Sequence, residues 1–230
     1  MEVLVHVVML LYPRFQQLDL TGPFEVLARF EELEIHLVWK TLEPVSDVNG
    51  LRLMPTETFA NCPTADILFV PGGPGQILIM EDTETLAFLR KHGDGARYVT
   101  SVCTGSLILA AAGLLTGYRA TCHWLSIDQL SYFGAVPVME RVVIDRNRIT
   151  GAGVTSGIDF ALTLAAELFG EERAKRVQLA MEYDPKPPFA GGTPASAGPQ
   201  LVESLRAENT KFQREREEVA RRAAAALRIG

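Results

Sequence analysis

The chain lacks most of the features that assign a protein to a class at sight. Its three cysteines, Cys62, Cys103 and Cys122, are odd in number and form no CxxC pair. That argues against a disulfide framework and against a thiolate zinc site. Basic charge is in deficit, with 22 Lys and Arg against 28 Asp and Glu and a net charge of −6. A surface that coats nucleic acid needs clustered basic excess, so no nucleic-acid partner is expected. Long apolar runs are missing too, and no segment approaches the length that spans a bilayer. The opening MEVLVHVVMLLYP has no basic n-region, carries a histidine and stops at Pro13. It reads as a buried first strand and not a signal peptide. A reduced, cytoplasmic protein without a membrane partner is expected. His6, His36 and His92 are scattered without ligand spacing, so no metal is expected.

What is present is a strand and helix alternation. The 230 residues, 47% of them hydrophobic, suffice for one domain with a sizeable core. VLVHVVMLL (3–11) reads as a strand buried on both faces. In the following LDLTGPFEVL, Asp19 or Thr21 is placed to cap a helix and Pro23 to occupy its first turn. EIHLVWKT (34–41) alternates like a second strand, and Asn49-Gly50 marks a hairpin. DILFVP (66–71) is a third buried strand running into Gly72-Gly73. A helix is expected at about 83–94, a strand at 98–102 and a helix at 104–113. Further helices are expected at 123–133, 155–169 and 171–182, with a hairpin turning at Arg146-Asn147. This order predicts an α/β fold: a mostly parallel central sheet with helices on both faces, a flavodoxin-like three-layer sandwich. Residues 1–183 form that domain in this reading. Residues 184–230, a Pro/Gly-rich segment and a helix with Leu201, Leu205 and Phe212 on its apolar face, pack on the same domain.

The stretch YVTSVCTGSLILAAAG (98–113) places Cys103 where a β-branched run turns into a small-residue helix. In a parallel sheet, ligands gather beyond the carboxyl ends of the strands. A residue on a sharp strand-to-helix turn presents its side chain there, as in a nucleophile elbow. The unpaired N–H groups and the dipole of the helix start are expected to lower the thiol pKa. A free cysteine also serves as a small buried apolar residue, and position alone leaves the two roles level. Cys62 and Cys122 lack this context and read as structural.

Six segments match one known family: LDLTGPFEVL (18–27), FVPGGPG (69–75), SVCTGSLILAAAGLL (101–115), ATCHW (120–124), GAGVTSGIDFAL (151–162) and MEYDPKPPF (181–189). On these the chain resembles the ThiJ/PfpI superfamily, which shares its fold with class I glutamine amidotransferase domains. Within it the chain is similar to the isocyanide hydratases, on Cys-Thr-Gly at the elbow and an aspartate where many members carry glutamate. The resemblance implies Cys103 as nucleophile and Asp19 as the acid–base group. It implies that Thr104 polarises the site through its N–H and hydroxyl, and that Gly72 and Gly73 line it, with the Gly73 N–H as a second donor. His123 and Trp124 are expected at the site mouth, although a lone histidine is more often structural. Without the resemblance, a helix cap is the favoured role for Asp19.

The activity implied is cofactor-independent addition of water to an isocyanide, giving an N-substituted formamide through a cysteine thioimidate, by a homodimer. A protease-like histidine after the cysteine is absent, since Thr104 stands there. Residues 200–230 are too few for the DNA-binding part of the related transcription regulators. The alternatives kept open are a glyoxalase-like or amide-processing enzyme of the same fold, and a non-enzymatic redox- or ligand-sensing protein using Cys103.

Overall fold

A computed structural model describes residues 4–229. Seven strands form one sheet. They are β1 (Val5–Leu10), β2 (Leu33–Trp39), β3 (Glu57–Thr58), β4 (Ile67–Val70), β5 (Tyr98–Val102), β6 (Val142–Asp145) and β7 (Arg148–Gly151). Their order across the sheet is β6-β7-β5-β4-β1-β2-β3. All neighbours run parallel except the β6–β7 hairpin. The helices are α1 (Gln17–Leu27), α2 (Gln76–Ile79), α3 (Thr83–Gly93), α4 (Gly105–Ala111), α5 (Ser156–Phe169), α6 (Glu171–Ala180), α7 (Pro194–Ala197) and α8 (Pro199–Ile229). None among the described residues is long and apolar enough to cross a membrane.

The central strands are buried because their side chains are apolar on both faces. Every residue of β4 is buried, as are Val7 to Leu10 of β1. Phe69 meets Phe160 of α5 across the sheet at 5.6 Å between ring centroids. The hairpin at Asn49-Gly50 forms as its sequence predicts, with Gly50 at φ +95° and Asp47 N–H donating to Leu51 O. The turn at Arg146-Asn147 also forms, with Arg146 at φ +54°.

Four local expectations fail. α1 begins at Gln17, so Asp19 sits in its first turn without capping, and Pro23 lies inside the helix. The Pro23 ring removes the N–H that would bond the Asp19 carbonyl. Residues 123–133 give a 3₁₀ helix over Ile127–Phe133, preceded by a turn at 124–126 that follows His123. In α8 the apolar face predicted from Leu201, Leu205 and Phe212 packs on the body only from Phe212 onward. Leu201 and Leu205 are 48% and 37% exposed, while Arg216, Val219, Ala220, Ala223 and Ala224 are buried. Small alanines let this helix approach the body closely, and its first turns project from it. The strand expected at 34–41 ends two residues early, at Trp39.

Order across the sheet decides where chemistry sits. β4 lies between β1 and β5, so the loops after these three strands meet at one edge. The helix after β1 brings Asp19, the loop after β4 brings Gly72 and Gly73, and the turn after β5 brings Cys103. The close approach needs glycine at Gly105, where an added Cβ would lie 2.1 Å from the Val70 carbonyl oxygen. Gly105→Ala is therefore expected to destabilise the protein by about 3 kcal/mol, measured as a lowered urea midpoint with unchanged slope.

Candidate active site

Cys103 occupies a sharp corner. Its φ is +57°, in the left-handed region, which costs a non-glycine residue roughly 1–2 kcal/mol. The Cys103 N–H donates to the Gly151 carbonyl at 3.0 Å, which ties the corner to the end of β7. α4 begins two residues later. The sulfur projects from the corner into a cavity of about 170 Å³ whose wall includes Thr104, His123, Phe212 and Arg216. Cys103 is 5% exposed, shielded yet open to that cavity.

Asp19 is completely buried beside it. The Gly72 N–H donates to Asp19 Oδ2 at 2.9 Å. Oδ1 is buried and has no partner of ordinary hydrogen-bond geometry. Burial pushes the Asp19 carboxyl up to about 7, opposed by the Gly72 N–H and the Cys103 thiol. Burial also pushes the Cys103 thiol well above its ordinary value, and the Asp19 carboxylate and the Cys122 thiol add to the rise. This corrects the lowered pKa expected from the helix start. The Thr104 N–H does favour the thiolate, but one donor does not outweigh full desolvation beside a carboxylate. Burial therefore favours the protonated form of both members of the pair.

The two glycines act differently from expectation. The Gly72 N–H is committed to Asp19 and the Gly73 N–H donates to Thr104 Oγ1 at 3.0 Å. Neither is left for substrate. Their part is to fix the carboxyl and the hydroxyl, and close packing demands their small size. A Cβ on Gly72 would lie 2.6 Å from the Thr104 nitrogen and 2.7 Å from Asp19 Oδ2.

His123 lies on the cavity wall. A hydrogen-bond chain sets the segment that carries it: Ser101 Oγ to Ser106 Oγ, Ser106 Oγ to the Thr121 carbonyl, and the Thr121 N–H to Thr150 Oγ1. Burial and then the Arg216 charge lower the His123 pKa to about 4. The ring is neutral at pH 7, and its Nδ1 accepts from the Leu125 N–H at 3.3 Å. Trp124 is not part of the wall around Cys103. It lines an adjoining cavity of about 430 Å³ that shares Leu125 and Gln213 with the first. Cys62 donates to the Pro63 carbonyl and Cys122 is buried, in keeping with structural roles.

Arg216 was not singled out from the sequence. It comes from α8, is buried, and donates to Gln76 Oε1 at 2.9 Å and to Ser126 Oγ at 2.7 Å. Among the described residues it pairs with no carboxylate. Its charge interacts with the thiols of Cys103 and Cys122 and with the Tyr12 hydroxyl. A buried cation without a carboxylate partner favours any negative charge that develops nearby. In the sequence Arg216 lies in the charged run KFQREREE, where nothing separates it from its solvated neighbours.

Residues 5–167 match the model of the DJ-1/PfpI family. The chain belongs to this family. It is 53% identical to the isonitrile hydratase of Pseudomonas putida over 220 residues, 96% of each chain. It is 32% identical to the HTH-type transcriptional regulator GbdR of Pseudomonas aeruginosa over 184 residues, covering 76% of this chain but 50% of the regulator. The crystal structure of a ThiJ/PfpI family protein from Pseudomonas syringae superimposes with a TM-score of 0.92 at 45% identity, covering 94% of this chain and 90% of that one.

The raised Asp19 pKa has a consequence for stability. A carboxyl that titrates at about 7 when folded and near 3.9 when unfolded holds its proton more tightly in the native state. Its contribution is fully present below about pH 4 and is lost as pH rises through about 7, by on the order of 4 kcal/mol. Asp19→Asn removes this loss. The difference in Tm between variant and parent is expected to move in favour of the variant between pH 5 and pH 8; a difference that stays constant over that range contradicts the assignment.

Proposed function

We propose that the protein is an isocyanide (isonitrile) hydratase, converting R–N≡C and water to an N-substituted formamide. The observation that carries this reading is the buried Asp19–Cys103 pair, with a free carboxylate oxygen beside the thiol. Support comes from the isonitrile hydratase of Pseudomonas putida, alike over 96% of both chains.

The terminal carbon of an isocyanide accepts a soft nucleophile and then a proton. In the first step Asp19 Oδ1 takes the Cys103 proton and the sulfur bonds to that carbon. Asp19 returns the proton to the carbon, leaving the thioimidate R–N=CH–S. In the second step Asp19 takes a proton from water. The resulting hydroxide adds to the same carbon, and the C=N electron pair moves to nitrogen, which receives the proton. In the third step the C–S bond breaks, the hydroxyl proton passes through Asp19 to sulfur, and the formamide leaves. One carboxyl serves as base, acid and base again, and the covalent intermediate divides one hard addition into easier ones.

The surroundings support each step. Arg216 favours the negative charge that develops as the thiol gives up its proton. The neutral His123 ring and the Phe212 side chain leave the cavity wall without a competing carboxylate. The 170 Å³ volume suits the linear isocyanide group, and the adjoining space beside Trp124 suits its substituent. The same reading includes a homodimer in the cytoplasm, in keeping with three free thiols and with apolar Leu201 and Leu205 exposed on the projecting turns of α8.

Purified protein mixed with an alkyl isocyanide is expected to give the formamide by NMR and to leave a methylglyoxal control unchanged. Turnover of methylglyoxal alone would favour a glyoxalase-like activity. Cys103→Ala should abolish formamide production without unfolding the protein. Retained turnover would exclude covalent attack. Because the carboxylate form of Asp19 accepts the thiol proton, kcat/KM should rise with pH through about 7 and then level. Asp19→Asn should lose that rise and fall in rate by at least about 100-fold.

A further inference from the structure

His6, Glu34 and His36 converge at the end of the sheet opposite Cys103. Their ligating atoms all lie within 4.8 Å of one another, the one such group of His, Cys, Asp and Glu among the described residues. Sequence spacing hides the cluster, because β-pairing makes it. Glu34 and His36 stand two apart on β2 and so share a face. The parallel register sets His6 of β1 opposite Glu34 and Val8 opposite His36, which brings the His6 ring between them. This corrects the view of these histidines as scattered.

The separations match those between ligands around one ion. His6 Nδ1 lies 3.1 Å from His36 Nε2 and 3.5 Å from Glu34 Oε2. A tetrahedral zinc ion with bonds of about 2.0–2.1 Å separates its ligands by roughly 3.4 Å, and the two observed separations bracket that value. Hydrogen bonding alone leaves the arrangement incomplete. If Nδ1 carries a hydrogen, it serves His36 or Glu34 but not both. If Nδ1 carries a lone pair, it accepts from His36 and turns that lone pair toward a carboxylate. A cation satisfies all three atoms together.

The ligands are also held in place. The His6 N–H donates to Asp66 Oδ2 at 2.8 Å, and the Asp66 N–H donates to the His6 carbonyl at 3.0 Å. Glu34 and His6 are partly exposed, at 49% and 34% of their side chains, so an ion has a path in and a fourth position for water.

We propose that His6, Glu34 and His36 form a binding site for a divalent, zinc-type cation that clamps β1 to β2, remote from the catalytic thiol. Two nitrogens and one carboxylate oxygen favour zinc over calcium or magnesium, which prefer all-oxygen sets.

The test is calorimetric titration of zinc sulfate into metal-stripped, full-length protein. The visible spectrum of the cobalt-loaded protein and Tm with and without zinc are followed in parallel. One equivalent of zinc, tetrahedral cobalt bands and a zinc-raised Tm are expected, all retained in Cys103→Ala. His6→Gln and Glu34→Gln, both at partly exposed positions and checked for folding by circular dichroism, should each weaken binding at least about tenfold. His36→Ala serves as a third variant where it folds. No binding at millimolar zinc overturns the proposal. So does binding undiminished by His6→Gln, or binding lost in Cys103→Ala while His6→Gln retains it. Because every readout is binding or stability, the result stands apart from whether isocyanide is the substrate.

Discussion

A carboxyl group buried against a thiol is the constraint on which the rest of the molecule depends. Asp19 would cost several kcal/mol as an isolated buried anion, and the protein keeps it by two means. One is the Gly72 N–H on Oδ2; the other is a pKa pushed to about 7, so that near neutrality the group takes or gives a proton readily. Burial opposes charge on both members of the pair, the carboxyl and the thiol alike. The elbow strain, the tight Gly72 and the position of β4 between β1 and β5 all serve that one contact.

The parallel sheet has two chemically distinct ends. Beyond the carboxyl ends lie the thiol, the carboxyl and a buried cation. At the amino ends, where the strands of a parallel sheet begin, lie two imidazoles and a carboxylate. The first group is brought together by loops and helix starts, the second by strand register alone. Loops can change without disturbing the sheet, whereas the register of β1 against β2 is fixed by the apolar residues buried along both.

Much of the architecture was legible because it rests on local patterns. Continuous apolar runs marked β1 and β4, and the β-branched run ending at Cys103 marked β5 and the elbow. Asn49-Gly50 marked its turn through the left-handed φ that a tight hairpin requires. The start of α1 was misread because Asp19 has the chemistry of a cap and is instead drawn inward by Gly72, a residue far away in sequence. The same limit hid Arg216, whose burial comes from the alanines one and two turns farther along α8. His6 and His36 were invisible as a pair because side chains on adjacent parallel strands meet only through register. Gly73 was correctly placed at the site, yet only the three-dimensional position of Thr104 Oγ1 shows that its N–H is already taken.

Arg216 and Phe212 reach the cavity from α8, far downstream of the elbow whose wall they complete. Until that helix docks on its alanine face, the Cys103 sulfur opens to bulk water and lacks its nearby positive charge. Assembly of the final helix and maturation of the thiol environment are therefore a single event. The buried, charge-flanked setting of this cysteine therefore belongs to the finished tertiary structure and not to the elbow alone.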